Sequence, residues 1–308
     1  MNLNNDNTYM MWTANFRKLY IYGLLRVFRV QSLKMVGDCL ESIAVIGAGV
    51  IGGAIVKSLL KKRYEGEVIV TRRDIVKLKE LEAIGAKTTT NNREAANKAD
   101  IIFLCVKPGD VEKVVKEISG EIKGKLVIST AATIPLKFYK KIAPQAKFVR
   151  TMPNIAALVQ ESFTAYCCDE DMTESDKKKV EKLLSLIGVS LEVEEKYMDA
   201  ITALSGSGPA YVSIIIEALM YAGLRVGLPR DLALYSAAQT VLGTGKLVLE
   251  TQEHPAKIKD MVTTPGGTTI EAVYELEGSQ IRQALMRAIK EATEKCQRIR
   301  NEIIRDIG

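Results

Sequence analysis

The feature that most constrains this chain is a glycine-rich turn between an apolar run and a helical pattern. Residues 43–46 are Ile-Ala-Val-Ile, and they lead directly into Gly-Ala-Gly-Val-Ile-Gly at 47–52. In a strand-turn-helix unit, the first glycine makes the tight turn, the second lets the backbone approach a pyrophosphate, and the third lets the helix pack closely on the strand. The pattern predicts a dinucleotide site with its phosphates at a helix N-terminus. The alternative is that these glycines only make a tight turn and bind no ligand.

The turn supplies the first expected cofactor-binding residues, which are Gly47, Gly49, Val50, Ile51 and Gly52. The end of the second strand then bears on which dinucleotide binds. Enzymes that use NAD place an acidic residue there, which bonds the ribose 2′-hydroxyl. Here the predicted strand 67–71 runs into Arg72 and Arg73 instead. Because a guanidinium matches a phosphate, we predict NADP(H), with Thr71 and Arg72 or Arg73 holding the 2′-phosphate. Arginines that merely solvate a loop are the alternative.

Composition places the chain among soluble globular proteins. Its 308 residues are 47% hydrophobic and 26% charged, which allows two domains with sizeable cores. The formal net charge of +6 is spread along the chain without a basic stripe that carries aromatics, so we expect no nucleic-acid partner. The most apolar stretch, 209–228, carries Glu217 and Arg225, so we expect no membrane span.

Cysteine and histidine usage gives no metal-like spacing. The five cysteines are Cys39, Cys105, Cys167, Cys168 and Cys296. We expect reduced thiols and a cytoplasmic location. The single histidine, His254, precedes Pro255, and we expect it to cap a helix or lie in a loop, because one imidazole cannot build a metal site or a Ser-His-Asp arrangement.

Residues 1–34 differ from the rest of the chain. They are rich in asparagine at first and then aromatic and basic, and they do not continue the later pattern. An amphipathic targeting arm has such a composition, and so does upstream sequence read from a start codon ahead of Met35. We favour the second interpretation, or a disordered extension, and whether these residues are translated stays open.

From residue 42 onward, strand-like runs alternate with helix-like runs. This alternation predicts an α/β fold, a Rossmann-type doubly wound and mainly parallel sheet, over residues 35–196. Several strands are continuous apolar runs, as a sheet covered on both faces requires. The predicted strands are 43–47, 67–71, 86–90, 101–106, 126–130 and 147–151, with shorter ones at 163–167 and 190–193 around a helix at 173–186.

The strand pattern ends after residue 196, and residues 197–308 predict an all-α domain for substrate binding and dimerisation. Its predicted helices are 209–226, 230–250, 256–262, 269–277 and 279–307. Residues 210–222 are apolar nearly all round, which is typical of a helix buried on every side. A domain of this size can hardly cover such a helix alone, so we expect an intertwined homodimer.

Residues just past the strand ends form the first candidate groove, because ligands of doubly wound sheets lie outside the carboxyl ends of the strands. We expect an asparagine to bond the adenosine ribose, a Val-Lys-Pro segment to line the diphosphate and nicotinamide, and two small alanines to admit a ring. Each residue type also forms turns or caps helices. The candidates are Asn91, Asn92, Val106, Lys107, Pro108, Ala131, Ala132 and Asn154.

A second candidate site is the segment 263–269, which opens the predicted helix 269–277. Backbone amides at a helix start lack intrahelical acceptors and favour negative charge, so a small carboxylate is the expected ligand. We assign substrate binding to Gly266, Gly267, Thr268 and Thr269, with Ser207 from the Ser-Gly-Ser-Gly cluster at 205–208 in the far wall. A Pro-Gly turn with a threonine cap is the alternative.

Five motifs together carry a resemblance to a known family. They are Gly-Ala-Gly-Val-Ile-Gly at 47–52, Val-Lys-Pro at 106–108, Met-Pro-Asn at 152–154, Leu-Ser-Gly-Ser-Gly-Pro-Ala at 204–210 and Thr-Pro-Gly-Gly-Thr-Thr at 264–269. From about residue 41 to residue 296, the chain resembles pyrroline-5-carboxylate reductase, and the last two motifs are the most specific. The resemblance implies that NADPH, or less readily NADH, reduces 1-pyrroline-5-carboxylate to L-proline, the last step of proline biosynthesis. It also implies a homo-oligomer, in some members a ring of dimers.

The resemblance further implies roles for three residues. The substrate carboxylate is expected on the backbone amides of Gly267 and Thr268, and the hydroxyl of Thr269 at the ring nitrogen. Because a protonated imine is already a strong electrophile, the protein mainly has to position two ligands, which fits the lack of a catalytic histidine. We expect Thr269 to orient the imine; whether it also donates a proton stays open.

Two other functions compete with this interpretation. A different NADP-linked reductase, acting on acyclic imines or β-hydroxyacids, usually carries a helix-borne lysine or acid as proton donor. Only Lys246 and Glu217 are loose candidates here. A non-catalytic NADP-binding sensor has no need of an intact Pro-Gly-Gly-Thr-Thr segment, which this chain keeps. The strength of the NADPH preference and the assembly beyond a dimer stay open.

Overall fold

A computed structural model describes residues 41–305, and the expectation for residues 1–34 lies outside this range. Eight strands form one sheet in the order β3-β2-β1-β4-β5-β6-β7-β8. All neighbours run parallel except β6 and β7, which are antiparallel. The order 3-2-1-4-5-6 is that of the doubly wound dinucleotide-binding fold, as predicted. The strands are β1 Ile43–Ile46, β2 Val68–Thr71, β3 Lys87–Thr89, β4 Ile101–Leu104, β5 Leu126–Ser129, β6 Lys147–Met152, β7 Ser162–Cys168 and β8 Gly188–Glu192.

Hydrophobic layers cover both faces of the sheet. Along β1, Val45 packs into one layer, whereas Ala44 and Ile46 pack into the other. The same alternation occurs along β4, where Phe103 faces the first layer and Leu104 the second. Successive strand side chains point to opposite faces, so a strand with helices on both sides must be apolar throughout. This is why the central strands are recognisable in the sequence as unbroken apolar runs.

Helices connect the strands and then replace them. In the sheet domain they are α1 Val50–Lys61, α2 Lys79–Ala83, α3 Asn92–Lys98, α4 Val111–Ile118, α5 Leu136–Ile142 and α6 Glu174–Leu184. After β8 follow α7 Met198–Ile201, α8 Gly208–Arg225, α9 Arg230–Thr251, α10 Pro255–Met261, α11 Thr268–Glu277 and α12 Ile281–Arg305. The five helices predicted after residue 196 begin within two residues of the observed ones, and the first four end within one residue; the predicted end of the last, at 307, lies outside the described residues.

The Ser-Gly-Ser-Gly cluster at 205–208, which precedes the helix predicted at 209–226, is itself helical in the structure. It lies within a helical run, Glu195–Arg225, whose middle is a π-helical segment at Thr202–Gly206. There the amide of Ser207 donates to the carbonyl of Thr202 at 2.9 Å, five residues back. A π turn widens a helix locally, and such turns are frequent at functional sites.

The helical domain exposes much apolar surface in a single chain. Helix α8 buries only Met220, and α11 and α12 have no buried residue. Large exposed hydrophobic side chains on this domain include Ile214, Tyr221, Leu232, Tyr235, Leu242, Leu249, Met261, Val262, Tyr274, Leu276 and Met286. So much apolar surface is unusual for a monomer and marks an interface with another chain.

The run Glu195–Arg225 also meets the length and composition of a membrane-spanning helix, and 11% of its most apolar window is buried. Apolar helices that pack between subunits meet the same two criteria, so this finding alone does not indicate a membrane.

A buried ion network joins the sheet to both ends of the helical domain. The Arg150 side chain on β6 is 1% exposed, and its guanidinium donates to Glu195 Oε1 and to Asp199 Oδ1, each at 3.2 Å. The second oxygen of Asp199 lies 2.8 Å from Arg300 Nη1, on the last turns of α12. Glu195 Oε1 also accepts the amide of Leu136, at the start of α5. The buried Asp199 carboxylate therefore pairs with one arginine from each domain, Arg150 and Arg300.

We expect Asp199→Asn to lower the free energy of unfolding by about 3 kcal/mol, because removing one partner leaves a buried guanidinium short of compensating charge. Glu194→Gln is the control, since it removes an exposed acid that pairs with the exposed Lys196, and should cost less than about 1 kcal/mol. Urea unfolding at one fixed protein concentration measures both values. A similar small loss for both variants would contradict a structural role for the network.

Candidate active site

The glycine-rich turn has room for a ligand on one side and none for side chains on the other. Gly47 has a φ of +92°, and a Cβ there would lie 2.8 Å from both the Cys105 carbonyl oxygen and Val106 Cγ1. A Cβ on Gly52 would lie 2.6 Å from the Gly47 carbonyl oxygen. In contrast, a Cβ on Gly49 would meet nothing within 4 Å. This arrangement fits a pyrophosphate that approaches the backbone at Gly49.

The N-terminus of α1 supplies the donors at this turn. Gly49 caps the helix without a side-chain hydrogen bond, and the first turn holds no acidic residue. Val50 is exposed there, whereas Ile51 packs against the hydrophobic layer beneath. The first amides of a helix have no intrahelical acceptor and lie at the positive end of its dipole. The residues present therefore fit a diphosphate.

We expect Gly52→Ala to weaken NADPH binding by at least about 10-fold and to destabilise the fold by about 1–3 kcal/mol, because its Cβ would overlap the backbone at Gly47. The matched control is the adjacent Gly53→Ala. A Cβ on Gly53 meets nothing within 4 Å, so alanine should leave binding unchanged and stabilise α1 by up to about 1 kcal/mol. Titration calorimetry and thermal unfolding test the pair, and equal effects of the two variants would refute the close-packing argument.

The paired arginines differ in their surroundings. Arg72 is half-buried and donates from Nη1 to the carbonyl of Ala48, within the glycine-rich turn, at 2.8 Å. Arg73 is exposed, and its Nη2 lies 3.3 Å from Asp110 Oδ2. Each guanidinium has further donors that remain free to bind an anion. Both arginines therefore lie beside the turn.

The structure corrects the role expected for Thr71. Its side chain is 1% exposed, and its hydroxyl lies 2.7 Å from Asn92 Oδ1, to which it donates. A hydroxyl so enclosed is not placed to touch a phosphate. Asn92 also donates to Glu117 at 3.1 Å, and Asn91 caps α3 by accepting the amide of Glu94. Thr71 and the two asparagines thus form local hydrogen bonds at the ends of β2 and β3.

The remaining strand-end candidates lie along the same edge of the sheet. Val106 is half-buried against the glycine turn, and the exposed Lys107 and Pro108 begin a short 3₁₀ turn at Pro108–Asp110. Past β5, Ala131 is buried, and Ala132 is half-buried. Because β1, β4 and β5 are neighbours, these residues lie side by side along one edge of the sheet.

The described cysteines and the histidine offer no nucleophile or base at this groove. Burial raises the pKa of the Cys105 thiol to about 12 and has the same effect on Cys167. His254 caps α10 by accepting the amide of Ala256 on Nδ1, as predicted. Lys246, one of the loose proton-donor candidates, pairs with Glu250 on exposed helix surface.

A cleft of about 430 Å³ lies between the end of β6 and the start of α8. Asn154 borders it and donates from Nδ2 to the carbonyl of Ser205 at 3.1 Å, within the π-helical segment. Asn154, expected to bind cofactor, therefore holds the widened turn that precedes Ser207. The cleft is lined by Asn154, Ala156, Ser205, Gly208, Pro209, Val212 and Ser213.

The segment 263–269 makes the turn expected at the start of α11. Gly266 has a φ of +67°, and the Gly267 amide donates to the Thr264 carbonyl at 3.0 Å. The structure thus corrects one expectation, because the Gly267 amide already has an acceptor. Helix α11 begins at Thr268, so the amides of Thr268 and Thr269 are the ones without intrahelical acceptors.

Several residues predicted to bind cofactor lie near the glycine-rich turn, whereas the segment predicted to bind substrate makes only local contacts in the described range. The hydrogen bonds of the 263–269 turn are local, for instance from Thr263 Oγ1 to the Lys259 carbonyl at 2.8 Å. Helix α11 has no buried residue in the single chain. Within residues 41–305, the segment predicted to bind substrate therefore lies on the exposed helical domain, whereas the glycine turn lies at the sheet edge.

Fold and site together define a class of protein, an NADP-linked oxidoreductase with a helical dimerisation domain. Residues 195–299 match a family model described as pyrroline-5-carboxylate reductase dimerisation, and residues 42–133 match one described as NADP oxidoreductase, coenzyme F420-dependent. A pyrroline-5-carboxylate reductase of Methanosarcina acetivorans is 39% identical over 260 residues, which cover 83% of this chain and 96% of that protein. This chain belongs to the pyrroline-5-carboxylate reductase family, and the resemblance seen in the motifs is confirmed.

Solved structures agree with this assignment. A pyrroline-5-carboxylate reductase from Coxiella burnetii superposes with a TM-score of 0.78 at 32% identity, covering 84% of this chain and 98% of that one. The Plasmodium falciparum enzyme, solved with NADP bound, gives a TM-score of 0.77 at 29% identity and the same two coverages. The predicted α/β fold and the predicted cofactor class are therefore confirmed.

Proposed function

We propose that this chain reduces 1-pyrroline-5-carboxylate to L-proline with NADPH. Two features that occur together in this family member carry the proposal. One is the open glycine-rich turn flanked by two arginines, and the other is the start of α11, which begins with threonine and has no side-chain cap. NADPH supplies the hydride for the imine carbon, and the ring nitrogen keeps the proton of the iminium form. The chain itself then has to bind, orient and exclude water.

We assign the substrate carboxylate to the amides of Thr268 and Thr269, at the positive end of α11. The Gly267 amide joins them if its turn bond to Thr264 opens. Gly266, with its left-handed φ, lets the chain enter the helix at this angle. The Thr269 hydroxyl orients the ring nitrogen, which is the role its position in the motif implies. Ser207 belongs to the far wall.

For the cofactor, we assign the diphosphate to the amides of Val50 and Ile51, since the Gly49 amide already donates to the Gly47 carbonyl at 2.8 Å, and the 2′-phosphate to Arg72 and Arg73. Thr71, Asn91 and Asn92 support this end of the groove from behind. The nicotinamide lies toward Val106, Lys107, Pro108, Ala131, Ala132 and Asn154, at the carboxyl ends of β4, β5 and β6.

We infer that two copies form an intertwined dimer, with residues 35–196 as the cofactor domain and 197–308 as the substrate and dimerisation domain. The exposed apolar face of α8 and α9 supports this, and so does the separation of the 263–269 turn from the sheet edge in one chain. Covering that face with a second copy can carry the turn to a cofactor groove. A ring of such dimers, a cytoplasmic location, and the lack of nucleic-acid and membrane partners complete the proposal.

The direct test follows the loss of NADPH absorbance when the purified chain meets the cyclic imine. Acyclic ketoacids and a sample without substrate serve as controls. Oxidation with the cyclic imine alone supports the proposal, whereas binding of NADPH without turnover would indicate a sensor.

In the same assay, we expect Thr269→Ala to lower kcat/KM about 10- to 100-fold, as for the loss of one oriented hydrogen bond. The dissociation constant for NADPH should not change, since the proposal assigns Thr269 to the substrate and none of the cofactor contacts to it. Thr269→Ser, which keeps the hydroxyl, should retain most of the activity. If both variants were as active as the unaltered chain, Thr269 would have no part in the reaction.

Joint replacement of Arg72 and Arg73 by alanine should weaken NADPH binding at least about 10-fold more than NADH binding, because only NADPH carries the phosphate these side chains match. Titration of both reduced cofactors measures the ratio. An equal loss for the two cofactors would refute the phosphate clamp.

A further inference from the structure

Asp110 lies at the cofactor groove, although no motif in the sequence singles it out as a binding residue. It ends the 3₁₀ turn Pro108–Asp110 that follows β4, whereas Arg73 follows β2. In the sheet, β1 lies between β2 and β4. An ion pair between Arg73 and Asp110 must therefore pass the carboxyl end of β1, where the glycine-rich turn lies.

An acid at the start of α4 interacts favourably with the helix dipole, but the Asp110 carboxylate makes no hydrogen bond to that helix. Its partner Arg73 is 90% exposed, and exposed ion pairs contribute little to stability. Within the described range, Asp110 is bonded to Arg73 at 3.3 Å. The Asp110 carboxylate thus offsets the positive charge of Arg73 and accepts a hydrogen bond from its Nη2.

We propose that Asp110 is a specificity-determining residue that reduces the preference of this chain for NADPH over NADH. The inference rests on the proposed arginine clamp. A 2′-phosphate carries close to two negative charges at neutral pH. To bind Arg73 it must displace the Asp110 carboxylate or share the guanidinium with it. NADH, which lacks the phosphate, meets no such competition, so the acid penalises one cofactor selectively.

The test is the ratio of the NADH and NADPH dissociation constants for the full chain carrying Asp110→Asn. We expect this ratio to rise about 3- to 10-fold in favour of NADPH, because the amide keeps the shape and removes the competing charge. The gain should shrink in high salt, which screens exposed charges. An unchanged ratio overturns the proposal. A lower ratio also overturns it, since Asp110 would then orient Arg73 for the phosphate.

Two further variants separate this inference from the clamp itself. Glu112→Gln removes an equally negative side chain two residues away, one that pairs with Lys116 instead, and should leave the ratio unchanged. In an Arg73→Ala background, Asp110→Asn should have no effect on the ratio; a rise that persists there overturns the proposal. If Arg73→Ala alone fails to weaken NADPH selectively, Arg73 has no part in the clamp and the present inference fails with it; the clamp itself is refuted only if the joint replacement of Arg72 and Arg73 fails as well. If Arg73→Ala does weaken NADPH selectively while Asp110→Asn has no effect, only the present inference fails.

Discussion

The contact between α1 and the turn before it is the constraint on which the cofactor site depends. A side chain at Gly52 would overlap the Gly47 carbonyl, and one at Gly47 would overlap the backbone of Cys105 after β4. With glycine at both positions, the start of α1 lies against the edge of the sheet, and its free amides face the open side at Gly49. The ends of β2 and β4 then flank these amides, which places Arg73 and Asp110 across the turn.

The parts of the fold that depend on local pattern were predictable from the sequence. Strands covered on both faces are apolar runs, so β1 was predicted at 43–47 and is observed at Ile43–Ile46. The helix boundaries after residue 196 were close for a similar reason, since Gly and Pro residues punctuate that part of the chain. The antiparallel direction of β7 was not predictable, because an apolar run has the same composition in either direction.

Features that depend on distant contacts escaped sequence reasoning. Thr71 follows an apolar strand and looked available to a phosphate, but its hydroxyl is enclosed by Asn92, 21 residues later. The pairing of Arg73 with Asp110 depends on the order of strands in the sheet, and that order cannot be read from the local sequence around either residue. The π-helical turn at Thr202–Gly206 had no local signal beyond its glycines, because its geometry is completed by Asn154 from the sheet domain.

The helical domain is anchored to the sheet at both of its ends and left free in the middle. Asp199, near its start, and Arg300, near the end of α12, meet in one buried ion network with Arg150 of β6. Helix α12 also packs against α7 and the π-helical segment. The apolar surface of α8 and α9, and the substrate turn beyond them, lie between these anchors. A second copy that covers this surface therefore meets helices whose ends are already fixed, so little conformational freedom has to be lost when two copies associate.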